Sequence, residues 1–194
     1  MSSNASPQIV YDDRLSAPDC VHLAYARHHD IPVMIGLVFE DDLHDGDLDP
    51  LHASLCMLDI ASGSPELSGI LSRWGEEWPA TRFVSDRMLD FSAINLAEIP
   101  LRLWMTGTTF QHQVWRVLLL IPRGSTTSYG EVAQRIGKPL ASRAVGMACG
   151  ANPVPLIVPC HRVLAANGGI GGYSGRGGVA FKQALLQREA ELAA

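Results

Sequence analysis

The chain carries no Cys-x-x-Cys pair, no long apolar run and, from Trp104 to its end, no aspartate. Each absence removes a class of function. Scattered cysteines (Cys20, Cys56, Cys149 and Cys160) exclude a disulfide framework and a cysteine-rich zinc site, so reduced thiols and no bound metal are expected. Cys20, His22, His28 and His29 lie near one another, but their spacing matches no ordinary ligand pattern and reads as solvated or hydrogen-bonded side chains. The apolar run from Val117 to Ile121 is far shorter than the roughly 20 residues that span a bilayer. No membrane partner is expected. Met1 to Pro7 is small and polar, without a basic patch leading into an apolar core, so no secretory signal is read and a cytoplasmic location is expected. Phosphate-cradling and dinucleotide patterns are also missing, which leaves no cofactor to expect.

What is present is a globular composition with an uneven charge. The 194 residues are 47% hydrophobic, enough for a core in one domain or two small ones. The net charge of −5 looks wrong for a nucleic-acid partner until the chain is divided near Leu103. From Trp104 onward there are nine Lys or Arg against three Glu, a net +6, and the preceding part carries −11. The second half can track phosphates while the acidic first half faces away from them.

Residues 1–13 read as a disordered tail, and 14–91 as an α+β domain of short β-rich runs such as Val33 to Phe39, an acidic loop from Glu40 to Asp49, and a helix within Pro65 to Trp78. Residues 92–106 read as a connector. The last domain, 107–194, has clearer punctuation. Thr108 with Gln111 forms a capping box ahead of the stripe Phe110, Val114, Val117, Leu118 and Ile121; Pro122 and Gly124 end that helix. Ser128 with Glu131 starts a second, short helix through Ile136. Gly137-Lys138-Pro139 then turns into a third helix over about Leu140 to Ala151, the outline of a helix-turn-helix. The expected fold is therefore α+β in two small domains, the second mainly helical.

The third helix is slender, because Ala141, Ser142, Ala144, Gly146, Ala148, Gly150 and Ala151 are all small. Small residues serve close helix packing, or they let a helix approach the minor groove, which is about 6 Å wide. Arg143 projects from its first turn. Further on, Pro159-Cys160-His161-Arg162-Val163 sets a thiol beside an imidazole after Leu156-Ile157-Val158, an apolar run that reads as a short cysteine-bearing strand. Free cysteine titrates near pH ~8.5, so the thiol needs a base or a positive field to act as a nucleophile, and His161 is a candidate for that base. Buried cysteine is otherwise an inert hydrophobe. Asn167-Gly168 is a hairpin signal downstream.

From Gly107 to Ala190 the chain resembles the O6-alkylguanine-DNA alkyltransferases of the bacterial type. The resemblance rests on Gly107-Thr108, Phe110-Gln111 and Val114-Trp115, on Ser128-Tyr129-Gly130, on Ser142 to Gly146, on Asn152 to Pro155, and on the cysteine motif. The first half matches by position and length alone. The family's reaction would be irreversible, stoichiometric transfer of an alkyl group from O6-alkylguanine in double-stranded DNA to Cys160, with O4-alkylthymine a second candidate substrate. The resemblance implies that His161 activates Cys160 through a water while Glu189, on one helix face with Lys182 and Leu186, holds the imidazole. Tyr129 would donate to the base and Asn152 would act as a hinge. Arg143 would fill the stack beside a flipped nucleotide, with Ser142, Ala144 and Gly146 also on the DNA. Val154, Pro155, Val163, Tyr173 and Ser174 would form the base pocket. No cofactor is implied, and a monomer is expected.

One departure touches that pocket. Between Tyr173 and Lys182 the run Gly175-Arg176-Gly177-Gly178-Val179 is about two residues longer than the family pattern. Either a wider pocket or a plain surface insertion would account for it. Two rivals also remain, a sensor of the same fold that binds alkylated bases without reacting and a Cys-His-Glu hydrolase that turns over.

Overall fold

A computed structural model describes residues 9–14, 18, 20–28, 31–39, 53–60, 67–97, 99, 101–173 and 178–193. The chain divides into two units, Met1–Gly107 and Thr108–Ala194.

The first unit is a six-stranded sheet with one helix. Strands β1 (Ile9–Arg14), β2 (Cys20–His28), β3 (Ile31–Phe39), β4 (Ala53–Ile60), β5 (Arg82–Asn95) and β6 (Leu101–Thr106) lie in the order β1-β6-β4-β3-β2-β5. β2, β3 and β4 run antiparallel in turn, whereas β1 and β4 each pair parallel with β6, and β5 pairs parallel with β2. Helix α1 (Leu67–Glu77) buries Ile70 and Trp74 in one cluster with Val21, Leu23, Met34, Val38 and Cys56. That apolar face explains the helical spacing of its sequence.

Two expectations are corrected here. Residues 9–13, assigned to a disordered tail, form β1 together with Arg14, and the strand pairs from Ile9↔Leu101 to Arg14↔Thr106. The supposed connector over 92–106 contains the end of β5 and all of β6. In β6 the buried Leu101, Leu103 and Met105 alternate with the more exposed Arg102, Trp104 and Thr106, the period of a strand with one covered face. The acidic loop from Glu40 to Asp49 lies outside the described residues.

The second unit begins with α2 (Thr109–Leu119). Both halves of its capping box form: the Gln111 amide N–H donates to Thr108 Oγ1, and the Thr108 N–H donates to Gln111 Oε1 at 2.7 Å. Trp115 is buried, and its Nε1–H donates to Ala148 O at 2.8 Å, tying α2 to α4 (Ser142–Gly150). Between them lies α3 (Tyr129–Arg135), again closed by a capping box, Ser128 with Glu131. Burying an apolar side chain such as Leu118 or Val132 contributes about 2 kcal/mol, so the inner stripes of these short helices hold them together.

The turn from α3 to α4 follows from Gly137. Its φ is +72°, and the N–H groups of Gly137 and Lys138 donate back to Gln134 O and Ala133 O. This αL ending turns the chain abruptly and completes the helix-turn-helix. Short strands β7 (Thr127–Ser128) and β8 (Val163–Leu164) pair parallel, and α5 (Gly178–Ala193) ends the unit. Asn167-Gly168 forms a tight turn, with the Gly168 N–H donating to Ala165 O, and among the described residues no hairpin of strands follows it.

Candidate active site

Cys160 opens a 3-10 turn, Cys160–Arg162, that runs straight into β8. The expected cysteine-bearing strand is thereby corrected: Leu156 to Val158 lie in turns, and their apolar character reflects burial. Pro155 and Pro159 bracket the run and offer no N–H to a ladder, while the Val158 N–H donates to Val154 O. Leu156 has φ +73°, the one positive φ outside glycine among the described residues. A left-handed leucine costs roughly 1–2 kcal/mol, and burial of its side chain holds it there.

Asn152 ties this segment to the end of α4. Its Nδ2 donates to Val158 O at 2.8 Å and reaches Cys160 Sγ at 3.4 Å, and its Oδ1 accepts from the Val154 N–H. Behind the thiol stands a buried ionic group. His161 Nε2 lies 3.0 Å from Glu189 Oε1, and Arg162 binds the same carboxylate with Nε and Nη2, at 2.9 Å to Oε2 and 2.7 Å to Oε1. Arg162 Nη1 donates to Ile121 O, and the Gly124 N–H adds a long contact to Glu189 Oε2.

The electrostatics give each group a protonation state. Burial pushes the Cys160 thiol above its ordinary value, although the Asn152 amide and the Lys182 charge favour the anion. Burial likewise holds His161 below the usual imidazole range, against the pull of Glu189. For Glu189 burial acts upward, but hydrogen bonds from His161 and Arg162 overcome it and hold the carboxyl well below the usual range. A neutral imidazole donating Nε2–H to a carboxylate must present Nδ1 as its free lone pair. That Nδ1 is buried and has no hydrogen-bond partner among the described residues. The resting site is a thiol beside an available base.

A cleft of about 720 Å³ opens onto the thiol. It gathers Tyr129, Ser142, Arg143, Gly146, Cys160 and Tyr173 from the residues singled out in the sequence. Tyr129 fits between two glycines: a Cβ on Gly146 would lie 3.9 Å from its ring, and one on Gly171 would lie 3.4 Å from its hydroxyl. Tyr173 packs on Phe181, and its buried hydroxyl has no hydrogen-bond partner among the described residues. Ala144 is half-buried on α4 and does not line the cleft. Val154 and Val163 are fully buried and Pro155 half-buried, and none of the three lines the cleft. Ser174 and residues 175–177 lie outside the described residues.

Sequence reasoning missed three contributors. Arg162 sits inside the five-residue motif, but nothing local shows that it folds back onto Glu189. Lys182 was placed on the face of Glu189 without its burial, its 2.6 Å hydrogen bond to Val163 O, or its position 5.8 Å from the centre of the Tyr129 ring. Cys149 lines the cleft, and burial first and the neighbouring Cys160 second push its thiol up to about 12. Among the described residues no cluster of His, Cys, Asp or Glu could hold a metal ion, and no helix is long and apolar enough to cross a membrane.

A helix-turn-helix unit followed by a cleft-lining cysteine, with the next residue a histidine held on a buried carboxylate, defines a class that known proteins fill. Residues 109–191 match the family model of the 6-O-methylguanine DNA methyltransferase DNA-binding domain. The methylated-DNA–protein-cysteine methyltransferase of Mycolicibacterium paratuberculosis is 42% identical over 141 residues, 73% of this chain and 81% of that protein. The crystal structure of the Mycobacterium tuberculosis O6-methylguanine methyltransferase aligns with TM-score 0.58 and 32% identity, over 88% of this chain and 93% of that one. A structure of the same organism's protein in complex with DNA aligns with TM-score 0.57 and 31% identity, over 88% and 94%. The chain belongs to the O6-alkylguanine-DNA alkyltransferase family, also called the methylated-DNA–protein-cysteine methyltransferases.

Proposed function

We propose that this chain repairs alkylated DNA by moving the alkyl group from O6 of guanine onto Cys160, once per protein molecule. His161 Nδ1 takes the thiol proton, through a water where one bridges, while Glu189 and Arg162 fix the ring and its tautomer. The sulfur forms a bond to the alkyl carbon as the carbon–O6 bond breaks, and the departing guanine anion takes up a proton. Tyr129, at the wall of the cleft, donates toward the base at that moment. The thioether formed has no electrophilic carbonyl for water to attack. Turnover therefore ends at one equivalent.

Reaching a base inside a duplex requires flipping it out, which costs a few kcal/mol of stacking. Arg143, exposed on the first turn of α4 and lining the cleft, fills the gap, with Ser142 and Gly146 against the backbone. The excess of basic residues after Trp104 supplies the phosphate attraction, and the protein acts as a monomer. Tyr173 borders the base.

The observation that carries this reading is the pairing of a cleft-lining thiol with a buried His161 whose Nε2 is committed to Glu189 and whose Nδ1 is not. A duplex labelled on the O6-methyl carbon tests it. The account expects label on the protein up to one equivalent and none in solution. Continued release of labelled small product would favour the hydrolase, and label staying wholly on the DNA would favour the non-reacting sensor.

A further inference from the structure

Helix α4 turns Val145, Ala148 and Cys149 inward and leaves Ser142, Arg143, Met147 and Gly150 exposed. On that outer face the side chains are small except for Arg143 and Met147, which stand four residues apart and so lie one above the other. Met147 is 71% exposed and lines the same cleft as Arg143 and Cys160. A single exposed apolar residue needs no explanation by itself. Leu120 is 73% exposed, and it lines no part of the cleft. Met147 differs because it is the only long apolar side chain on a helix face otherwise stripped of bulk, beside the opening to the thiol.

We propose that Met147 is an apolar wedge that packs into the minor groove of lesion-bearing DNA beside the nucleotide that Arg143 displaces. This rests on the reading of α4 as the helix that meets DNA. Flipping a nucleotide exposes apolar base faces and deoxyribose edges that the intact stack covers. Minor-groove proteins hold such unstacked steps with apolar side chains, methionine among them. An unbranched thioether chain adapts to an irregular gap better than a branched one. Arg143 and Met147 thus divide the work: the guanidinium meets the stack and phosphate field, and the thioether covers the apolar edge next to it.

The division predicts a difference in salt dependence, because an apolar contact releases no counterions. Affinity for a duplex carrying one O6-methylguanine is measured at several salt concentrations in a Cys160→Ser background, which cannot react. Met147→Ala should bind roughly tenfold more weakly, through lost apolar contact, at an unchanged slope of log affinity against log salt. Arg143→Ala should lower that slope by about one. Met147→Gln should lose as much as Met147→Ala, and Met147→Leu should stay within about twofold of the parent, since that swap conserves volume. Leu120→Ala is the unaffected control. Equal or tighter binding by Met147→Ala, or a slope that falls with it, overturns the proposal. If the parent itself shows no preference for the lesion duplex, the function proposed above is what fails.

Discussion

His161 Nε2 and Glu189 Oε1 meet at 3.0 Å across 28 residues of chain, and Arg162 donates to both oxygens of the same carboxylate, Nη2 to Oε1 and Nε to Oε2. The pair fixes which ring nitrogen carries the proton and leaves Nδ1 with the free lone pair. Glu189→Gln keeps the shape but removes the charge, leaving the Arg162 guanidinium without its partner. Losing one member of a buried ion pair costs about 3 kcal/mol. The variant should lose stability by that order in urea unfolding, and its transfer rate should fall roughly a hundredfold, the scale of a lost acid–base contribution. Transfer at the parent rate would show that the carboxylate does not serve the imidazole.

The same pair sets a pH dependence with a definite sign. Glu189 is held low, so in the window below its unfolded value of 4.5 the unfolded chain binds the extra proton and stability falls as pH falls. His161 is also held low, here by burial, so its contribution is complete above its unfolded value of 6.5 and is lost as pH drops through the window beneath it. The unfolding midpoint should therefore decline on acidification, beginning below neutrality. His161→Gln should remove the upper part of the decline and Glu189→Gln the lower. Identical profiles for parent and both variants would contradict the assignment.

Two glycines beside Tyr129 should respond in opposite ways. Gly171 has φ +67°, and an added Cβ would come within 3.4 Å of the tyrosine hydroxyl. Gly171→Ala should cost about 1–2 kcal/mol through left-handed strain and should slow repair by shifting Tyr129. Gly146 lies within α4, where a Cβ meets the ring at an ordinary 3.9 Å. Gly146→Ala should hold or raise stability by up to about 1 kcal/mol from helix propensity. It should nevertheless weaken duplex binding, because the added methyl group would narrow the cleft that Gly146 lines. Thermal unfolding and DNA titration of both variants separate the two effects.

Asn152 spends both ends of its amide on the segment that carries the thiol. Asn152→Ala leaves the Val154 N–H without its partner, a loss of roughly 1–3 kcal/mol, removes one of the two donors to Val158 O, which keeps the Cys160 N–H, and takes a donor from Cys160 Sγ. Alkylation of Cys160 by iodoacetamide should then require higher pH than in the parent. An unchanged pH dependence of labelling would mean that the 3.4 Å contact does not favour the thiolate.

Local chemistry made the second unit legible. Capping residues Thr108 with Gln111 and Ser128 with Glu131, and the turn at Gly137, act within a few residues and left direct marks in the sequence. The thiol, imidazole and carboxylate were readable through motif resemblance. Arg162 on Glu189 was not, because the contact joins residues 27 apart and depends on where α5 docks. The first unit was harder for the same reason: β1 pairs with β6 across some 90 residues, and long-range pairing leaves no local signature. In the cysteine segment the apolar run suggested a strand, and Pro155, Leu156 and Pro159 made it a turn.

Repair by this chain turns on one sulfur atom, Cys160 Sγ. Intact and peptide-level mass spectrometry after mixing the protein with an O6-methylguanine duplex tests it most directly. The account predicts that each molecule exchanges one hydrogen for one methyl group, confined to the peptide bearing Cys160, and that Cys160→Ser binds the duplex without any change in mass. A methyl group found on Cys149 or elsewhere, or a protein of unchanged mass beside an excess of lesion, would contradict it.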